Sequence, residues 1–210
     1  MQRRVDDFID SITWLSQHPL IDPDKIAVWG LCFDGDTMLA TAASDRRIAA
    51  VIAVAPMMDV TGDPECREAI LELGNADRAA QLAGEEPVHL PLVDEDGCTL
   101  LNQFLGNFFT TVDTTKMPIE NRVTTHTYMR WLNWNIWHLL PKISPTPVIM
   151  VTPELDQVYP AEKQKEAFEK LGEPKEHCII EKKNHFDWMF GDLDKVFNKQ
   201  LNFLKEHMQF

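Results

Sequence analysis

The sequence predicts an α/β fold, a mostly parallel sheet of about four strands with helices on both faces. Three observations carry this. A strand–turn–helix–strand unit lies near the start, the same grammar returns near the end, and Ile48 to Ala55 is one continuous apolar run. Such a run marks a strand buried on both faces, and strands alternating with helices imply parallel pairing.

Val5, Phe8, Ile9, Ile12 and Leu15 fall at helical spacing, so residues 4 to 17 read as an amphipathic helix stopped by the Pro19 region. Asp22-Pro23-Asp24 makes a turn, and Lys25 to Trp29 is a short strand entering Gly30. Asp36 to Ser44 reads as a helix and Ile48 to Ala55 as the next strand. In the second half, Pro147 to Thr152 is a strand, Pro160 to Leu171 a helix with proline in its first turn, and His177 to Glu181 a strand. A final helix, Leu193 to Met208, is expected to bury Val196, Phe197, Leu201 and Leu204. Between the halves, about residues 57 to 145 show no strand grammar, carry Phe104, Phe108 and Phe109, and contain polar turns such as Asp94-Glu95-Asp96-Gly97. This stretch reads as a mostly helical cap inserted into a single domain spanning 1–210.

Bulk composition narrows the function. The 210 residues are 44% hydrophobic, enough for one domain with a real core. A formal charge of −13 repels phosphate backbones and anionic membranes, so neither nucleic acid nor a membrane is an expected partner. The start has no apolar stretch of the secretory kind, which leads to the expectation of a soluble cytoplasmic protein. Cys32, Cys66, Cys98 and Cys178 form no close pairs and are expected as thiols, the last three as small buried hydrophobes.

Cys32 is the exception. It lies in Val28-Trp29-Gly30-Leu31-Cys32-Phe33-Asp34-Gly35, between a strand and a helix, with glycines two residues before and three after. A nucleophile elbow needs that context, because the turn is sharp and the exposed residue sits at the helix's positive end. On this segment alone, an ordinary strand-to-helix turn remains an equal reading. Asp156 and His185 add weight, because each follows its own strand, in Thr152–Pro160 and Lys183–Asp187 respectively. Open parallel sheets place sites in such loops, and an imidazole base needs a carboxylate to fix its tautomer. Asp59, after the second strand, is a fallback acid.

These residues, with Asp45-Arg46-Arg47-Ile48-Ala49-Ala50-Val51, Ile143-Ser144-Pro145-Thr146-Pro147-Val148 and Asn184-His185-Phe186-Asp187, resemble the α/β-hydrolase superfamily. The branch is that of dienelactone-hydrolase-like proteins and fungal polyketide transferases, over about residues 5 to 208. The resemblance implies a truncated α/β-hydrolase with Cys32 as nucleophile, Asp156 as acid, His185 as base and the Phe33 N–H as an oxyanion donor. It implies acyl transfer or hydrolysis of a bulky hydrophobic ester or thioester in secondary metabolism, free or bound to a carrier protein. No cofactor and no metal are expected.

Two departures from the family pattern bear on this. Asp34 replaces the usual small residue two places after the nucleophile, crowding the elbow and opposing thiolate. The chain also starts at the helix before the nucleophile strand, which leads to two expectations. One oxyanion donor would be missing, a loss on the order of 10²–10³ in rate, and strand 25–29 would be a bare edge covered in a homodimer or a complex. Two alternatives stay open: proton-transfer chemistry in the same pocket, as in a cyclase, isomerase or lyase, and a degenerate hydrolase that only binds. Trp131, Trp134 and Trp137, on an expected helix from Tyr128 to Leu140, are either core packing or an aromatic wall for substrate. His126 and His138 read as surface or packing residues rather than ligands.

Overall fold

A computed structural model describes residues 2–60, 64–92, 120–186 and 193–209. The chain divides into two compact units, one made of Met1–Met58 and Asn135–Phe210, the other of Asp59–Trp134.

The first unit opens with α1 (Gln2–Ser16), then β1 (Ile26–Leu31), α2 (Phe33–Ser44) and β2 (Ile48–Val54). After the second unit it resumes with β5 (Val148–Pro153), α5 (Ala161–Lys170), β6 (Lys175–Ile180) and α6 (Asp194–Met208). The four strands form a parallel sheet in the order β1-β2-β5-β6. The apolar run predicted as doubly covered is the centre of this sheet, with Val51 paired to Val148 and Val54 to Val151.

Strand alternation sorts the two faces. Ala50, Ile52, Val54, Ile149 and Val151 point to one face and pack on Val196 and Phe203 of α6. On the opposite face, Thr152 Oγ1 lies 3.0 Å from His177 Nε2, and that ring stacks on Phe168 of α5. Met38, Leu39, Ala40 and Ala42 of α2 are also fully buried.

One expectation about α6 fails. Phe197 and Leu201 are exposed, at 46% and 40%. The buried stripe runs through Val196, Gln200 and Phe203, because Trp29 Nε1 of β1 donates to Gln200 Oε1 at 3.0 Å and draws that position inward. Positions 197 and 201 are thereby rotated outward.

The second unit contains α3 (Pro64–Leu82), a two-stranded antiparallel pair, β3 (His89–Leu90) with β4 (Val123–Thr124), and α4 (Thr125–Leu132). The strand pair corrects the reading of this stretch as free of strands; at two residues each, the strands are too short to leave a period-2 pattern. Buried Asp77 organises the unit. Its oxygens accept from Val88 N and Gln81 Nε2, each at 2.9 Å, and from the Thr125 hydroxyl. Gly74 lets α3 approach α4, since a Cβ there would stand 2.2 Å from Met129 Sδ.

The predicted helix from Tyr128 to Leu140 is also corrected, because α4 ends at Leu132. Asn133 takes the terminating position and the Asn135 side chain accepts from Trp137 N at 3.0 Å, a local bond that competes with helix continuation. The three tryptophans therefore do not share a helix face. Trp131 is buried in α4, Trp134 follows the helix end, and Trp137 belongs to the first unit. Asp94 to Gly97, Cys98, Phe104, Phe108 and Phe109 lie outside the described residues.

Candidate active site

The turn from β1 to α2 is made at Cys32, whose φ of 56° and ψ of −118° are strained for a residue with a side chain. The strain is held from several sides. Cys32 N donates to Val54 O at 2.9 Å, and Gly35 N donates to Cys32 O at 3.0 Å. Gly30 is required because a Cβ there would stand 2.2 Å from Asp34 O. A strained, over-determined residue between a strand's carboxyl end and a helix start is the elbow expected from the sequence.

The Cys32 thiol is pushed up to about 12 from 9.0. Burial is the main cause, and the carboxylates of Asp36, Asp156 and Asp34 add to it, while the Phe33 backbone N–H, donating to the sulfur, opposes them. That N–H is the one expected as an oxyanion donor. Cys32 Sγ also lies 3.6 Å from Met57 Sδ. The Asp34 side chain, in turn, is paired with Arg4 of α1.

Asp156 and His185 are brought together. His185 Nδ1 lies 2.8 Å from Asp156 Oδ2, and the two side chains are 1% and 0% exposed. With Nδ1 donating to the carboxylate, Nε2 is left with a free lone pair, and it has no hydrogen-bond partner. The fallback acid Asp59 is therefore not the partner of this histidine.

The two loops are stitched to each other. Glu154 N donates to Ile180 O, Leu155 N to Lys183 O, and Lys182 N to Glu154 Oε2, at 3.0, 2.9 and 2.7 Å. Asn184 Oδ1 accepts from both Gln157 N and His185 N. The sequence assigns no role in the site to Asn184, Met57 or Arg4. Asn184 had a local signal in standing beside His185, whereas the other two reach the site only through the fold.

None of Cys32, Cys66 and Cys178 is in a disulfide, and all three are half-buried. Sequence spacing offered no metal site, and the fold brings Glu176 of β6 within 4.8 Å of Glu206 and His207 of α6. Glu176 is already paired there with Lys199. No helix of the described residues is long and apolar enough to cross a membrane.

A family model described as the prolyl oligopeptidase family matches residues 1–85. The chain is 49% identical over 203 residues to "Polyketide transferase grgF" of a Penicillium species, covering 96% of this chain and 69% of the relative. It is 44% identical over 229 residues to "Polyketide transferase" of Gibberella fujikuroi, covering 96% and 72%. It is 30% identical over 210 residues to "Thiohydrolase" of Eupenicillium brefeldianum, covering 96% and 68%. Among solved structures, that of the α/β hydrolase GrgF from Penicillium superposes with a TM-score of 0.91 at 47% identity, over 100% of this chain and 73% of that one.

Proposed function

Because the chain belongs to the α/β-hydrolase family, in its polyketide transferase branch, we propose that it transfers or hydrolyses the acyl group of a bulky, polyketide-like ester or thioester. One observation carries the reading: a buried Asp156–His185 pair with Nε2 left unpartnered, whose Asp156 charge also acts on the strained Cys32. Here the Cys32 S–H proton passes to His185 Nε2 as sulfur bonds to the substrate carbonyl carbon and the carbonyl oxygen takes the negative charge. Collapse expels the alcohol or thiol, which takes the proton from Nε2. Water or an acceptor alcohol then attacks the acyl–sulfur bond, giving its proton to the same nitrogen and returning Cys32 as thiol. Asp156 holds Nδ1 throughout.

The test uses the full chain and a long-chain acyl N-acetylcysteamine thioester. Cys32→Ala and His185→Ala should each reduce turnover by at least about 10³-fold, and mass spectrometry should find the acyl group on Cys32. Wild-type turnover by Cys32→Ala would sink the proposal.

A second reading has its own support, in that the thiol faces Met57 and is strongly disposed to stay protonated. In it His185 alone moves protons on the substrate, as a cyclase, isomerase or lyase would. Product formation without any adduct on Cys32 would favour it. Strand β1 is a sheet edge among the described residues and exposes Trp29, which supports a second copy of the chain at that edge. A monomer by light scattering would refute that part.

A further inference from the structure

The Asp156 carboxylate is saturated. Oδ1 accepts from Val158 N and Tyr159 N, both at 2.9 Å, which closes the turn of its own loop. Oδ2 accepts from His185 Nδ1 and, also at 2.8 Å, from Gln164 Nε2 of α5. The same Gln164 nitrogen donates to Tyr159 O at 2.8 Å. Its two hydrogens thus bridge the carboxylate and the backbone of the loop that carries it.

The orientation of this amide is forced, since turning it over would set Oε1 against two acceptors. The consequence is an Oε1 atom without a partner on a side chain that is 0% exposed. Packing alone does not favour that arrangement, because methionine or leucine would fill a similar volume without an orphaned oxygen. What glutamine supplies, and they cannot, is the donor on Oδ2.

We infer that Gln164 is a positioning residue of the site, fixing the Asp156 carboxylate so that Oδ2 stays on His185 Nδ1 and leaves Nε2 as the basic nitrogen. The inference rests on the reading of His185 as base. Without Gln164, Oδ1 still anchors the carboxylate to the Val158 and Tyr159 amides, but Oδ2 loses its one donor other than His185 and can swing about that anchor away from Nδ1. His185 populates the second tautomer, with the proton on Nε2, where it cannot accept one.

The experiment compares Gln164→Met and Gln164→Leu with wild type in the full chain, using the same thioester. It reads kcat, KM, Tm and the His185 tautomer by 15N NMR. Loss of one hydrogen bond to a charged group predicts kcat lower by about 10- to 100-fold. KM should stay within about twofold, Tm should fall by less than roughly 5 °C, and the Nδ1-protonated population should drop. A kcat within twofold of wild type in both variants, with Cys32→Ala inactive, would overturn the inference. So would a kcat that falls only in step with the folded fraction. Turnover surviving in Cys32→Ala would instead defeat the functional reading, and the tautomer measurement would still decide for or against Gln164.

Discussion

The protonation state of Cys32 can be measured directly through its reactivity. Alkylating reagents attack thiolate, so the labelling rate follows the ionised fraction. An ordinary thiol at 9.0 is about one-tenth ionised at pH 8, and one at about 12 is ionised to about one part in ten thousand. Iodoacetamide should therefore label Cys32 roughly 10³-fold more slowly in the folded chain than in the urea-unfolded chain, as followed by mass spectrometry of the Cys32 peptide. The rate should rise about tenfold per pH unit up to about pH 10.5. A thiol that was merely blocked would also be slow, but its rate would level off near pH 9, so a plateau there refutes the reasoning. Among the charged groups Asp36 is the largest contributor after burial, so Asp36→Asn should speed labelling. The same shift has a stability consequence. Between about pH 9 and 12 the folded state holds a proton that the unfolded state has lost, so folding weakens as pH rises through that window. Cys32→Ala should flatten this alkaline limb in chemical-denaturation curves, and an unchanged limb would contradict the assignment.

Three further perturbations test separate parts of the site. Asp156→Asn keeps the shape but reverses the donor pattern at His185 Nδ1, and kcat in the thioester assay should fall on the order of 10³–10⁴-fold; a loss below tenfold would exclude the orienting role. Arg4→Ala removes the partner of half-exposed Asp34 and should cost only about 0–1 kcal/mol by urea titration, while slowing Cys32 alkylation further because the Asp34 charge is no longer answered. Gly30→Ala forces a Cβ against the Asp34 carbonyl, where backbone cannot yield. A loss of about 3 kcal/mol and a Tm fall of roughly 6–12 °C are expected by calorimetry, and a variant as stable as wild type would show that the elbow is not tight.

The parts legible in the sequence are those whose physics is local. Ile48 to Val54 reads as a strand because every position is apolar when both faces are covered, and it emerged as the second strand of the sheet. The Asp156–His185 pair and the strand-to-helix turn at Cys32 were legible because each residue stands soon after a strand, where a parallel sheet gathers its loops. What stayed hidden depends on partners distant in the chain. Gln200 turns inward because Trp29, 171 residues away, donates to it, and no helical periodicity contains that fact. Gln164 sits among Lys and Glu on a charged helix, where nothing in its neighbours distinguishes a buried amide from a solvated one. Met57 follows the apolar run of β2 and looks like more of the same core, although its sulfur is beside the thiol.

Asp34 shows how the fold can change the meaning of a sequence feature. From the sequence, a carboxylate two residues after the nucleophile crowds the turn and opposes thiolate. In the structure the crowding is met by Gly30, whose missing Cβ leaves room for the Asp34 backbone, and the charge is met by Arg4 reaching from α1. Asp34 accordingly acts on Cys32 less than Asp36 or Asp156 does. The pressure against thiolate is nonetheless real, and it comes chiefly from burial. A thiol held neutral in this way attacks only if a base takes its proton during the attack, as a serine hydroxyl does. In the proposed mechanism that demand falls on His185, a buried imidazole with one nitrogen held by a four-donor carboxylate and the other without a partner. If the alkylation profile shows an ordinary thiol instead, that demand disappears, and the sealed Asp156–His185 pair has to be explained by some other proton.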